Sequence, residues 1–230
     1  MTEPVSETLR SLVEAALPHV PFDGWTEATL RAAAEDSGLE AELVKAAAPR
    51  GALDLALAFH RMGDLAMVER LEAEDLSDMR FRDKAARAVQ LRLEVIEDRE
   101  AVRRGATLFA LPQNAFVGAQ AMWGTADAIW TALGDTSEDL NWYSKRATLS
   151  GVLSATVLYW LGDDSMDRAD TWAFLDRRIE EVMQIEKVKA QVNKLPGAKM
   201  LMAGPNWLAS MIRRPQDRPQ DVPGVWQGGT

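Results

Sequence analysis

The chain has 230 residues, a formal net charge of −9 and no cysteine. That length suffices for one good-sized domain or two small helical subdomains around a buried core, and the missing cysteines exclude disulfides, thiolate metal sites and cysteine nucleophiles. The acidic balance argues against general nucleic-acid binding, which depends on Lys and Arg neutralising phosphates.

The N-terminus, MTEPVSETLR, lacks an apolar segment and reads as neither a signal nor a transit peptide. Val5, Leu9, Leu12, Val13 and Leu17 outline an amphipathic helix over 5–17 that Pro18 closes. Gly24 and Trp25 form a turn, Thr26 caps a helix running to about Ser37, Gly38-Leu39 makes a tight turn, and a second short helix spans Glu40–Ala48 before Pro49. This is the layout of a helix-turn-helix. A DNA-reading helix needs basic or amide side chains toward the groove. Residues 26–50 instead set Glu27, Glu35, Asp36, Glu40 and Glu42 against Arg31, Lys45 and Arg50, a net charge of −2. The motif reads as scaffold, without nucleic acid as a partner.

A long helix follows from Ala52 to about Leu76 through Leu53, Leu57, Met67, Val68 and Leu71, and a charge-rich one over 78–98. His19 and His60 are the only histidines, and no HExxH or ExxH spacing exists, so neither a metal nor a cofactor is expected. His60, beside Phe59 on an apolar helix, reads as a satisfied structural histidine. Arg103-Arg104-Gly105 and Pro112 mark boundaries around a short apolar helix, and Asn114 precedes a longer one, Ala115–Leu133. That helix carries Phe116, Val117, Met122, Trp123, Ile129 and Trp130, is apolar nearly all round, and belongs at the centre of the body.

Residues 141–183 read as a helical hairpin with a large buried face. Leu149, Val152, Leu153, Thr156, Val157 and Trp160 share one face of its first helix, and Trp172, Leu175, Ile179 and Val182 form the stripe of its second. Between them Gly162, Asp163, Asp164 and Ser165 supply turn chemistry, with Asp170 at the expected N-cap. The apolar run Ala147–Leu161 is too short and too interrupted to span a bilayer, so the chain reads as soluble. No strand pattern or catalytic constellation occurs; the fold class is all-α and the protein is not read as an enzyme.

The tail changes character. Residues 184–214 hold Lys187, Lys189, Lys194, Lys199, Arg213 and Arg214 against Glu186 alone, a net charge of +5. Met200, Leu201, Trp207, Leu208, Met211 and Ile212 supply apolar side chains that, edged by Arg213 and Arg214, suit an amphipathic helix over 197–214 on an anionic membrane surface. A helix packed on its own domain is the alternative. Residues 215–230 have the composition of a disordered end.

NWYSKR (141–146), the DDS turn (163–165) and TWAFLDRRIEEVM (171–183) resemble the signature of the COQ9 family, the lipid-binding accessory proteins of ubiquinone biosynthesis; LPQNAF (111–116) and, more loosely, 20–39 continue the likeness. The resemblance implies a TetR-like helical bundle with three parts: an N-terminal helix-turn-helix unit (1–50), a lipid-binding and dimerisation body (51–196) and the membrane-contacting tail. It further implies a bacterial member that is cytoplasmic, peripheral on the inner membrane and homodimeric. Such a protein would take an isoprenoid lipid or ubiquinone precursor into an apolar cavity and present it to a biosynthetic hydroxylase. Met122, Trp123, Trp130, Leu149, Leu153 and Trp160 lie on the helices best placed to line that cavity, or else fill a core. Asp139, Trp142, Tyr143 and Arg146, at helical spacing with Ile129 near by, are the face expected toward the hydroxylase. The alternative there is a structural helix start with Arg146 paired to Asp139. The runner-up reading is a TetR-like regulator sensing an apolar ligand.

Overall fold

The structure, a computed structural model, describes residues 4–137 and 140–192. Asp139 and every residue assigned to the membrane-contacting tail, Met200 to Arg214, lie outside the described residues. Among the described residues the fold is helical without strands: α1 (Glu7–Ala16), α2 (Val20–Asp23), α3 (Glu27–Ser37), α4 (Ala41–Ala47), α5 (Ala52–Ala73), α6 (Phe81–Glu94), α7 (Arg99–Ala110), α8 (Ala115–Ala132), α9 (Leu140–Gly162) and α10 (Ala169–Val192).

Local chemistry sets most of these boundaries. The Ser6 and Thr26 hydroxyls accept from the backbone N–H groups of Leu9 and Thr29 and open α1 and α3. Gly38, at φ 65°, closes α3 in the left-handed region where a side chain is costly. The charge-rich helix is shorter than its pattern, because the Asp98 carboxylate accepts from Ala101 N–H and starts α7 instead of extending α6. Arg103-Arg104-Gly105 is no boundary. α7 runs through it, and Gly105 packs beside the Trp25 indole, where an added Cβ would stand in ordinary van der Waals contact, 3.6 Å from Trp25 Nε1. Asp170 is not the cap of α10 either. Asp163 does that work from across the turn, its Oδ2 accepting from both the backbone N–H and the hydroxyl of Thr171, while Oδ1 accepts from Ser165 N–H. These hydrogen bonds, led by those from Ser165 and Thr171, hold the Asp163 carboxyl well below the usual carboxylate range.

Among the described residues, the two larger of three buried apolar clusters share α5, one at each half of it. The N-terminal one gathers Leu12, Val13, Val20, Trp25, Leu30 and Val44, yet it closes only with Leu55 of α5 and Ala101 of α7. The other joins Met67, Leu71, Val89, Leu91, Ile129, Leu149, Leu153, Leu175 and Ile179, so the hairpin faces read from the sequence are the buried ones. α8 is central only in its C-terminal half, through Ala126, Ala128 and Ile129; its other half opens to solvent, with Phe116 73% exposed. α7 ties the parts together. Arg99 and Arg103 donate to the α9 carbonyls of Trp160 and Leu161, and Arg104 donates to the Pro21 carbonyl. Such donors complete carbonyls that a helix end leaves without partners.

Candidate functional site

The first turns of α9 carry Trp142 and Tyr143 to the surface, half-buried, with the rings edge-on at 4.7 Å between centroids. Trp123 of α8 comes alongside, its ring 5.9 Å from Trp142 and 6.3 Å from Tyr143. Arg146 is not part of the exposed face. Only 2% exposed, it lies beneath, its guanidinium carbon 4.0 Å from the centre of the Trp142 ring. Arg146 Nε donates to Asp127 Oδ1 (2.5 Å) and Nη1 to Asp135 Oδ2 (3.0 Å), so among the described residues its ion-pair partners are these aspartates, and α9 begins over a buried charge network. Lys145 Nζ completes the network at 2.8 Å from Asp135 Oδ1. Burial pushes the Asp135 carboxyl up, but hydrogen bonds from Lys145, Ser137 and Arg146 outweigh it and bring the group down to about 2. Ile129 is fully buried in the core and cannot extend the face. The sequence misplaced both residues for one reason: helical spacing shows what shares a side, but not how far the facing helix reaches over it.

The residues assigned to one lipid cavity separate. An apolar cavity of about 80 Å³ does lie between α5, α7, α8 and α9, walled by Ala56, Phe59, Val102, Ala106, Phe109, Met122, Leu153 and Val157. Of the six candidates, Met122 and Leu153 reach it. Trp130 and Leu149 line a different apolar groove of about 310 Å³, together with Phe81, Ile179 and Val182. Trp160 packs on Leu93 and Leu161 with Arg99 over its ring, and Trp123 belongs to the surface aromatics. The α7 wall escaped sequence reading because its small residues, Ala101, Gly105 and Ala106, have no apolar bulk to flag them.

On the α5 side His60 divides the apolar cavity from a polar cleft of about 530 Å³. Its hydrogen bonds fix its state. Arg92 Nη2 donates toward His60 Nδ1 at 3.3 Å, so Nε2 carries the proton and donates to Thr125 Oγ1 at 2.8 Å. The Thr125 hydroxyl donates to Asp64, and Arg92 Nε donates to Asp64 Oδ1 at 2.6 Å, closing a ring. Burial, the largest influence, holds the His60 pKa below its ordinary value, in keeping with a neutral imidazole. His60 is thus the satisfied structural histidine expected. In the helix-turn-helix, Arg50 is engaged within the chain, bound through Nε and Nη2 to Asp54 Oδ1.

Among the described residues no helix is long and apolar enough to cross a membrane, and no group of acidic residues and histidines could hold a metal ion. The fold belongs to the TetR-like all-α class. Its structural likeness to a TetR transcriptional regulator from Nitrosomonas europaea has a TM-score of 0.60 at 14% identity, covering 76% of this chain and 98% of that one. The family likeness comes from sequence. The COQ9 family profile matches residues 115–186, which hold α8, the Trp142 face and the hairpin. The chain is 32% identical to the ubiquinone biosynthesis protein COQ9, mitochondrial, of Drosophila melanogaster, over 78% of this chain and 56% of that protein. It is also 32% identical to the Rattus norvegicus protein of that name (79% and 60%), and 30% identical to the Homo sapiens one (79% and 59%). Over most of its length the chain is similar to the COQ9 family. It spans little more than half the length of the curated relatives it matches.

Proposed function

We propose that this chain is a non-enzymatic accessory protein of ubiquinone biosynthesis that binds the apolar tail of an isoprenoid quinone precursor and offers its ring to a biosynthetic hydroxylase. The observation that carries the reading is the pairing, in a chain similar to this family, of the small apolar cavity behind α7, walled by side chains such as Ala106 and Met122, with the larger apolar groove of about 310 Å³ beside Trp130. Trp123, Trp142 and Tyr143 supply the hydroxylase-facing surface, since half-buried aromatics on a rigid base are what a protein partner grips. The basic tail brings the protein to an anionic inner-membrane surface, and two copies pair as a homodimer.

The test is mass spectrometry of lipids that copurify with the native protein, beside Ala106→Trp, which fills the cavity. Isoprenoid lipid on the parent and its loss from the variant support the reading; a lipid-free parent sinks it. Specific, salt-sensitive retention of a DNA site would favour the regulator reading instead.

A further inference from the structure

Where does an apolar ligand enter? Residues 105–126 contain no Asp, Glu, Lys, Arg or His, and neither do residues 147–162, in a protein that is 27% charged. These stretches are the C-terminal half of α7, most of α8 and most of α9, and the fold sets them side by side. Trp130 Nε1 donates to the Lys145 carbonyl and Ser150 Oγ to the Met122 carbonyl, which fixes α8 and α9 as antiparallel neighbours. Following that register past Ser150, Leu158 comes level with the first turn of α8, where Phe116 stands. Phe116 is 73% exposed, Leu158 66%, and Leu111, in the loop leading into α8, 41%. Phe109 and Val157, which wall the apolar cavity, sit within a turn or so of these residues along their own helices.

We propose that this charge-free edge, crowned by Leu111, Phe116 and Leu158, is a membrane contact of the helical body itself. It inserts shallowly into the bilayer and lets the apolar ligand pass into the cavity without crossing water. The inference rests on the lipid-binding reading above and adds a site to it.

Two observations favour a bilayer over a protein partner. First, a specific protein interface draws orientation and steering from charged groups, and the stretches that form this edge carry none. Second, several of the loop's polar groups are paired within the loop itself, which lowers the cost of entering an apolar medium. Leu111 N–H donates to the Leu108 carbonyl, Asn114 N–H to Leu111, Gly118 N–H to Asn114, and the Asn114 side-chain amide to Leu108. Because no cation takes part, this contact is insensitive to salt and to lipid charge, in contrast to one made by the basic tail.

The experiment is flotation of the full chain with neutral phosphatidylcholine vesicles in salt high enough to screen the tail, comparing the parent with Phe116→Glu/Leu158→Glu. Both residues are exposed, so melting temperature should hold, while lipid loading at purification should fall with the membrane contact. Flotation should fall about tenfold, following the lost apolar transfer. Equal flotation of the two proteins, or parent binding that vanishes with salt, overturns the proposal. So does a variant that turns from dimer to monomer while still floating, because the edge is then an interface between copies. A lipid-free parent that floats normally would sink the lipid-carrier reading and leave the membrane edge standing.

Discussion

Arg92 and Arg146 are both buried guanidiniums held by aspartates, and their surroundings give the same device different uses. Arg92 lies inside a closed ring with Asp64, His60 and Thr125, pinning α6 to α5 and α8 with nothing presented outward. Arg146 is equally buried, but the far side of its guanidinium is the half-exposed Trp142 ring. A buried charge needs its full set of partners wherever it sits. When one of them is a surface aromatic, satisfying the charge also fixes the pose of that aromatic and lowers the ordering cost of binding. The first network is cohesion; the second is cohesion that prepares a surface.

Asp64→Ala should have the largest effect, because it leaves Arg92 buried without its carboxylate at a cost of ~3–5 kcal/mol. Denaturant unfolding measures it, and a loss below about 1 kcal/mol would mean that the ring does not hold the helices. Trp142→Ala should reverse the pattern, weakening capture of the hydroxylase by about 2 kcal/mol in a titration while the melting temperature holds. If stability falls as far as capture, the second network is cohesion alone. Acid separates the two networks by another route. The Asp135 carboxyl, down to about 2 against an ordinary 3.8, adds stability that is complete above its unfolded value and is lost as pH falls toward the folded one. The loss should reach about 2 kcal/mol, and near-UV circular dichroism of the Trp142 cluster should change with it. Asp135→Asn should abolish that acid-dependent change. His60 acts at a higher range: its folded pKa is depressed, so its contribution is full above about 6.5 and declines as pH drops below that. The smallest effect belongs to Lys145→Met. Its pair with Asp135 is part-exposed, and its removal should cost below about 1 kcal/mol and leave the Trp142 spectrum nearly unchanged.

Helices with strong periodicity were legible almost to the residue. Thr26 and Gly38 bracket α3, and the stripe Leu149–Leu153–Trp160 is buried as its spacing demands. Errors gathered where one helix depends on another. Gly105 reads as a breaker until Trp25 is seen against it, and the capping role of Asp163 depends on a turn that brings Thr171 back. That turn holds Asp167 at φ 52° and Arg168 at φ 59°, conformations no composition rule anticipates for these residues. In the candidate sites, Trp142 and Tyr143 share a face as their spacing suggests, but Trp123, nominated for the cavity, joins them there. The cavity takes only Met122 and Leu153 of the six nominated residues, because small residues of α7 leave the space.

Trp25 has a further consequence. Its indole N–H donates to the Ala101 carbonyl at 2.9 Å, its ring abuts Gly105, and the neighbouring Pro21 carbonyl receives Arg104. All these attachments fall on the helix that walls the apolar cavity, two of them at the cavity-lining positions Ala101 and Gly105. The helix-turn-helix unit is therefore a buttress: it carries the load of keeping a hollow open, as masonry outside a vault carries the thrust of the space within. The helix-turn-helix layout thus has mechanical employment here, and stripping it away should close the hollow that it braces from outside.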